Sequence, residues 1–312
     1  MQLYLLNQSV AMKEILELRV DSLYAYILWG FNGGVKLGPV RKVLIDTSTP
    51  LYNRVRTLNN ILRKLGLILF YGWEYNREYT NAELREAQYF QILPKLFTLS
   101  GEECGTKYDE STACPICGSG AKMTTPLTIH KSRIPKTDIS MTLGHGEEIL
   151  VSERFRQVME DNDIKGIRYA PVFSGKRQIE YFQLLPEHYF DISPKTKFGV
   201  KPFDYSEGEK EGHYSEGYNA EGKLEKEWWP PAVYKCPNGD NLGLNILSEA
   251  YIKNDPLLEG LDYFASRQTV GHKGEGLIRP RHLIFCSNRM MRIIKENNLK
   301  GFKFEVAHIV DE

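Results

Sequence analysis

The chain has five cysteines, Cys104, Cys114, Cys117, Cys236 and Cys286, and their uneven spacing argues against a disulfide scaffold. Cys114-Pro-Ile-Cys117-Gly118 has the form of a zinc knuckle. In such a turn the backbone N–H groups point at the sulfurs, and glycine permits the closing conformation. A structural zinc site takes four ligands, and Cys104, Cys114 and Cys117 supply three of them. The candidates for the fourth are Cys236, which opens a knuckle-like Cys236-Pro-Asn-Gly239, and the histidines His130 and His145. The competing reading is a decayed ribbon that holds no metal, its turn kept by Gly105, Pro115 and Gly118. Cys286 aligns with Val151 in the repeat described below, which predicts a buried apolar thiol.

Other candidate chemistry is sparse. The sequence carries no glycine-rich phosphate loop, no Gly-x-Ser-x-Gly elbow and no His-Glu-x-x-His. Gly144-His145-Gly146-Glu147-Glu148 offers a base beside carboxylates, but it reads better as a turn entering a strand at Ile149. Arg279-Pro280-Arg281-His282 resembles an anion clamp, and it also stands where a connector to the next strand belongs. No residue set predicts catalysis, and a binding protein is expected rather than an enzyme.

The elements that must position these residues come from a near-repeat. Residues 149–169 lie over 284–304 without a gap, with identities at Ile149/Ile284, Ser152/Ser287, Arg154/Arg289, Asn162/Asn297, Lys165/Lys300 and Gly166/Gly301. Chance would give roughly one or two over such a stretch. Ser152 and Ser287 suit helix N-caps. Phe155, Val158 and Met159, and Met290, Ile293 and Ile294 in the second copy, recur at helical spacing. Gly166 and Gly301 close each helix, and the alternating Ile167-Arg-Tyr and Phe302-Lys-Phe begin strands. The unit is strand–helix–strand, from duplication or from convergent patterning. A weaker echo sits at Leu58, Ile61, Leu62 and Leu65, ending at Gly66 before Leu67-Ile-Leu-Phe-Tyr71. Tyr89-Phe-Gln-Ile-Leu-Pro94 also recurs as Tyr181-Phe-Gln-Leu-Leu-Pro186.

The expected fold is therefore α+β: two related strand–helix–strand modules in mixed or antiparallel sheets, with a small zinc-knuckle-like insertion. The boundaries read as an N-terminal α+β region (1–97), the knuckle segment (98–135), a first module (136–200), a Gly/Glu-rich loop (201–231) and a second module (232–312). Trp228-Trp229-Pro230-Pro231 ends that loop, either anchoring it to the core or forming a recognition patch. Forty basic and forty acidic residues cancel, so no net field draws the chain to nucleic acid or an anionic membrane. Met1-Gln-Leu-Tyr-Leu-Leu lacks signal-peptide features, and the apolar run at 23–31 is too short to span a bilayer. A cytoplasmic location is expected.

The knuckle, a Val-Ser-Glu-Arg-Phe helix start and a Lys-Gly-Ile-Arg-Tyr-x-Pro-Val strand together resemble the bacterial double-CXXCG-motif proteins. These are grouped with the immunity proteins of polymorphic toxin systems. The resemblance covers roughly 100–190 and 234–309. It departs at the second knuckle, where Asn238-Gly239 replace Cys-Gly. The resemblance implies an antitoxin that binds and occludes a cognate toxin protein. The alternatives are a zinc-ribbon nucleic-acid binder and an enzyme of an unrecognised type.

Overall fold

The computed structural model describes residues 12–29, 34–115, 117–142, 144, 148–199, 203, 236, 238–271 and 280–311, and the backbone of 213–218 and 224–229. The chain divides into two compact units, 1–86 with 200–205, and 87–199 with 206–312.

In the first unit, β1 (Lys13–Asp21), α1 (Ser22–Trp29), β2 (Val35–Leu37), β3 (Val40–Asp46), α2 (Pro50–Lys64), β4 (Phe70–Glu78) and α3 (Asn81–Glu86) follow in order. The four strands form an antiparallel sheet ordered β2-β3-β1-β4. Alternation along β1 sends Leu16, Leu18 and Val20 inward, and they pack with Val43, Ile45, Val55 and Leu62. The predicted stripe on α2 is shifted: Val55, Asn59 and Leu62 face the core, while Ile61 and Leu65 are exposed. Gly66, at φ 71°, turns the chain after the helix.

The second unit runs β5 (Tyr89–Pro94), β6 (Phe97–Thr98), β7 (Tyr108–Asp109), β8 (Lys122–Met123), β9 (Ile139–Thr142), β10 (Ile149–Ser152), α4 (Glu153–Asp161), β11 (Ile167–Ser174), β12 (Arg177–Pro186) and β13 (Tyr189–Phe190). It continues with β14 (Phe198–Gly199), β15 (His213–Tyr218), β16 (Leu224–Trp229), β17 (Asn245–Ile246), β18 (Ala250–Lys253), β19 (Tyr263–Val270), β20 (Arg281–Ser287), α5 (Asn288–Glu296) and β21 (Phe302–Val310). The fold is α+β, with two related strand–helix–strand modules, β10-α4-β11 and β20-α5-β21. Within the segment read as a Gly/Glu-rich loop, 201–231, the described backbone pairs as the hairpin β15–β16. Its strands hold Tyr214, Tyr218, Trp228 and Trp229, and aromatic residues favour strands enough to offset the glycines and glutamates.

The two modules have exchanged a strand. One sheet is ordered β11-β12-β10-β9-β6 and the other β13-β19-β20-β5-β21-β18. β5, made before the first module, lies antiparallel between β20 and β21 of the second. β12, made after the first module, lies antiparallel between β10 and β11 of the first. Directly after each, the chain crosses to the opposite sheet: β6 runs parallel to β9, and β13 parallel to β19. The matching hexapeptides Tyr89–Pro94 and Tyr181–Pro186 are thus the two exchanged strands. The first unit repeats the pattern without exchange, since its β1 lies between β3 and β4 on either side of α2.

Matching clasps lock the exchange. Ser152 Oγ accepts from Phe155 N at 3.1 Å, capping α4, and donates to Asp138 Oδ1 at 2.8 Å. Asp138 Oδ2 accepts from Lys300 N at 2.7 Å, and Arg154 reaches both Asp138 and the Asn297 carbonyl. In the other half, Ser287 Oγ accepts from Met290 N at 3.1 Å and donates to Asp262 Oδ1 at 2.6 Å. Asp262 Oδ2 accepts from Lys165 N at 3.1 Å, and Arg289 reaches Asp262 and the Asn162 carbonyl. Each module therefore grips the Lys-Gly turn of the other. Gly166 (φ 91°) and Gly301 (φ 100°) sit in those grips, where a Cβ would stand 2.1 Å from the Tyr263 carbonyl oxygen and 2.5 Å from that of Ile139. Met290, Met291, Ile293 and Ile294 are buried beneath α5, at roughly 1.5–3 kcal/mol each.

Candidate metal centre

Two tight turns face each other. In the first, Cys114 N donates to the Ser119 carbonyl at 2.7 Å and Gly118 N to the Cys114 carbonyl at 2.8 Å. In the second, Cys236 N donates to the Asn241 carbonyl at 3.1 Å and Gly239 N to the Cys236 carbonyl at 3.0 Å. Gly118 and Gly239 adopt φ of 76° and 79°, which side-chain-bearing residues rarely take. Two similar turns are thus built, closed by a glycine N–H that bonds back four residues in the first and three in the second, which lacks the second cysteine.

The turns bring Cys114, Cys117, Cys236 and Asp240 together, one donor atom from each lying within 4.8 Å of every other. Cys114 Sγ and Cys236 Sγ are 3.6 Å apart. A tetrahedron with metal–sulfur bonds of about 2.3 Å has sulfur–sulfur edges of about 3.8 Å, so these four donors could hold a metal ion. The three thiols are buried, and Leu244 packs against them. Burial pushes the Cys117 thiol up to about 12, against hydrogen bonds to Ser119 that favour the thiolate. A bound dication reverses that balance, because it coordinates the thiolate.

Outer contacts tie the site to the second module. Asn238 Nδ2 donates to Cys114 Sγ at 3.3 Å, and the Cys117 thiol donates to Ser119 Oγ at 3.2 Å. Ser119 and Thr269 share a hydroxyl–hydroxyl hydrogen bond. Thr269, on β19, also donates through Oγ1 to the Asp240 carbonyl at 3.0 Å and receives Asn241 Nδ2 at 3.3 Å. Such contacts orient ligands and fix the turn that carries them.

Of the four cysteines proposed as ligands, the structure gathers three. Cys104 lies instead at the end of a 3-10 turn, Glu102–Cys104, its N–H donating to the Gly101 carbonyl at 3.0 Å. Its thiol is half-buried and pushed upward, chiefly by that burial. His130 precedes the 3-10 turn Lys131–Arg133 and is not in the group, and His145 lies outside the described residues. Asp240 fills the fourth place. Its only signal in the sequence is position: it follows Gly239 directly and offers an oxygen where a cysteine was sought. Cys286 is fully buried, as expected, and burial raises its thiol far above the ordinary value.

Near Cys104 lies a second polar centre. Glu148 is fully buried, accepting from Gly101 N at 2.8 Å, Tyr108 Oη at 2.7 Å and the Thr142 hydroxyl. Burial nevertheless raises its carboxyl above the usual range. Its neighbours His145, Gly146 and Glu147 lie outside the described residues, as does Arg279 of the candidate anion clamp.

No family model and no curated protein matches the chain. Among the described residues no helix is long and apolar enough to cross a membrane.

Proposed function

We propose that this chain is a non-catalytic immunity protein that binds a cognate bacterial polymorphic toxin in the cytoplasm and covers its active site. A structural zinc ion at Cys114, Cys117, Cys236 and Asp240 clips its two knuckles together. One observation carries the reading. The residues behind the family resemblance hold the chain to itself: Cys114–Gly118 build a turn, while Ser152, Arg154, Lys165 and Gly166 build the inter-module clasps. Residues used in this way make a rigid scaffold, and a rigid scaffold suits an inhibitor that must present a surface already shaped for its partner. The first unit adds exposed apolar side chains, among them Leu23, Ile27 and Tyr71, of the kind that association covers. Zinc is favoured by a donor set of three sulfurs and one carboxylate that lie within 4.8 Å of one another.

The test is co-expression with the toxin encoded beside this gene. Survival that depends on this protein supports the reading, and equal killing with and without it overturns it.

A further inference from the structure

We infer that the groove beside the N-terminal end of α5 receives a lysine or arginine side chain presented by a partner protein. The inference rests on the protein-binding reading above and gives that binding a specific place.

The groove holds about 680 Å³. Tyr89, Leu258, Leu261 and Ile309 contribute its apolar part, and Asp255 and Glu259 stand among its polar lining. The Tyr89 ring is fixed, since its hydroxyl donates to the Leu258 carbonyl at 2.9 Å and its edge packs on Phe264. An aromatic face with aliphatic neighbours suits the stem of a long basic side chain, and carboxylates suit its head.

The sign of the ligand follows from which polar groups are already engaged. The helix end could attract an anion, but two of its first three N–H donors are taken. Asn288 N donates to the Gln88 carbonyl at 2.8 Å, and Met290 N donates to Ser287 Oγ. Arg289, the one cation in the lining among the described residues, is held by Asp262 at 2.7 Å and by the Asn162 carbonyl. Asp255 keeps one oxygen on Leu257 N at 2.9 Å, and neither it nor Glu259 has an ion-pair partner among the described residues. The balance left over is negative.

The fold does not impose this charge. The segment leading into Asp138, the counterpart of Asp262, also passes through a 3-10 turn, Lys131–Arg133, and the buried Ile134 directly after it stands in the place of Leu258. There the exposed residues are Lys131, Ser132, Arg133 and Lys136. By position Lys131 stands where Asp255 does and Pro135 where Glu259 does, so the pair of carboxylates is not a feature the two modules share.

The test uses the full-length protein with methyl-labelled Leu and Ile. Nα-acetyl-lysine N-methylamide is compared with Nα-acetyl-norleucine N-methylamide, which lacks only the ammonium. The expected result is saturable shifts at Leu258, Leu261 and Ile309 with the lysine compound, and weak response to the other. The Asp255→Asn/Glu259→Gln double variant keeps an Asx cap, and should lose affinity roughly tenfold. If that variant misfolds, Glu259→Gln alone and the salt dependence of wild-type binding give the same readout. Equal response to both compounds, unchanged affinity in the variant, or stronger response to Nα-acetyl-glutamate N-methylamide would overturn the inference. So would a self-dimer, seen by sedimentation, that the lysine compound dissociates, because a second copy would then fill the groove. The probe binds or fails to bind regardless of any toxin, so failure here and failure of the protection assay are distinguishable.

Discussion

Cys114 and Cys236 lie 122 positions apart in the chain, yet their sulfurs stand 3.6 Å from each other. The first belongs to the knuckle ahead of the first module, and the second precedes β19 of the second. The pair therefore brings distant segments of the unit side by side, with Leu244 packed against the buried thiols.

The zinc reading makes a discriminating prediction about ligands. Elemental analysis should find one zinc per chain in the wild type and in Cys104→Ser, and a loss in Cys236→Ser. Asp240→Asn should weaken retention more than Cys104→Ser does. Binding should release protons and weaken as pH falls, since the thiols must be deprotonated to coordinate. Equal loss from the Cys104 and Cys236 variants would put the site elsewhere.

Asp262→Ala should destabilise the protein by about 2–4 kcal/mol, measured by denaturant unfolding, because it strands the Ser287 hydroxyl, the Lys165 N–H and Arg289 at once. Arg289→Ala should cost less, as that side chain is 46% exposed. A double-mutant cycle should show a coupling of roughly 0.5–3 kcal/mol. Asp138 and Arg154 should behave in parallel.

Gly166→Ala and Gly301→Ala each force a Cβ against a backbone carbonyl at a positive φ. Each should cost about 2–4 kcal/mol. Gly175→Ala gives the contrast. That residue also has positive φ, 61°, but its added Cβ would meet nothing within 4 Å, so only the cost of about 1–2 kcal/mol for the left-handed conformation applies.

Glu148 should set a pH dependence of stability. Its carboxyl lies above the ordinary value of 4.5 in the folded chain, chiefly through burial, so folding binds the proton more tightly. The stabilisation from this group is complete below that ordinary value and is lost as pH rises through the raised one. Glu148→Gln removes the titration. Chemical denaturation of both proteins between about pH 4 and 8 should show wild type losing stability relative to the variant as pH rises. A constant difference across that range would show that burial does not perturb this carboxyl.

The local units were legible in the sequence, because N-caps and apolar spacing are short-range signals. Ser152 and Ser287 cap their helices as predicted, but Gly166 and Gly301 do not close them. Instead α4 and α5 end at Asn162 and Asn297, followed by left-handed Asp163 (φ 50°) and Asn298 (φ 51°), and the glycines turn the chain into β11 and β21. The recurrence of Tyr89–Pro94 as Tyr181–Pro186 was visible too, but not its meaning, since strand pairing at long range leaves no trace in a local window. Asp138 and Asp262 were missed for the same reason: a lone aspartate before a strand looks like any turn residue. At the metal centre the spacing of Cys114 and Cys117 was enough to place the first turn. Cys104 was misleading because nearness in sequence is a poor guide once a 3-10 turn carries the thiol elsewhere. Asp240 escaped notice because carboxylates are too common on surfaces to signal a ligand.

The exchanged strands also dictate an order of events at the ribosome. β5 emerges early, but its neighbours β20 and β21 are among the last residues made. At roughly 5–20 residues per second it waits on the order of ten to forty seconds with both hydrogen-bonding edges unpaired. The first module, by contrast, can close its sheet as soon as β12 has been translated. A chain truncated anywhere between Pro186 and Arg281 would thus display one folded module and one orphan strand, Tyr89-Phe-Gln-Ile-Leu-Pro94, as a signal that synthesis is incomplete.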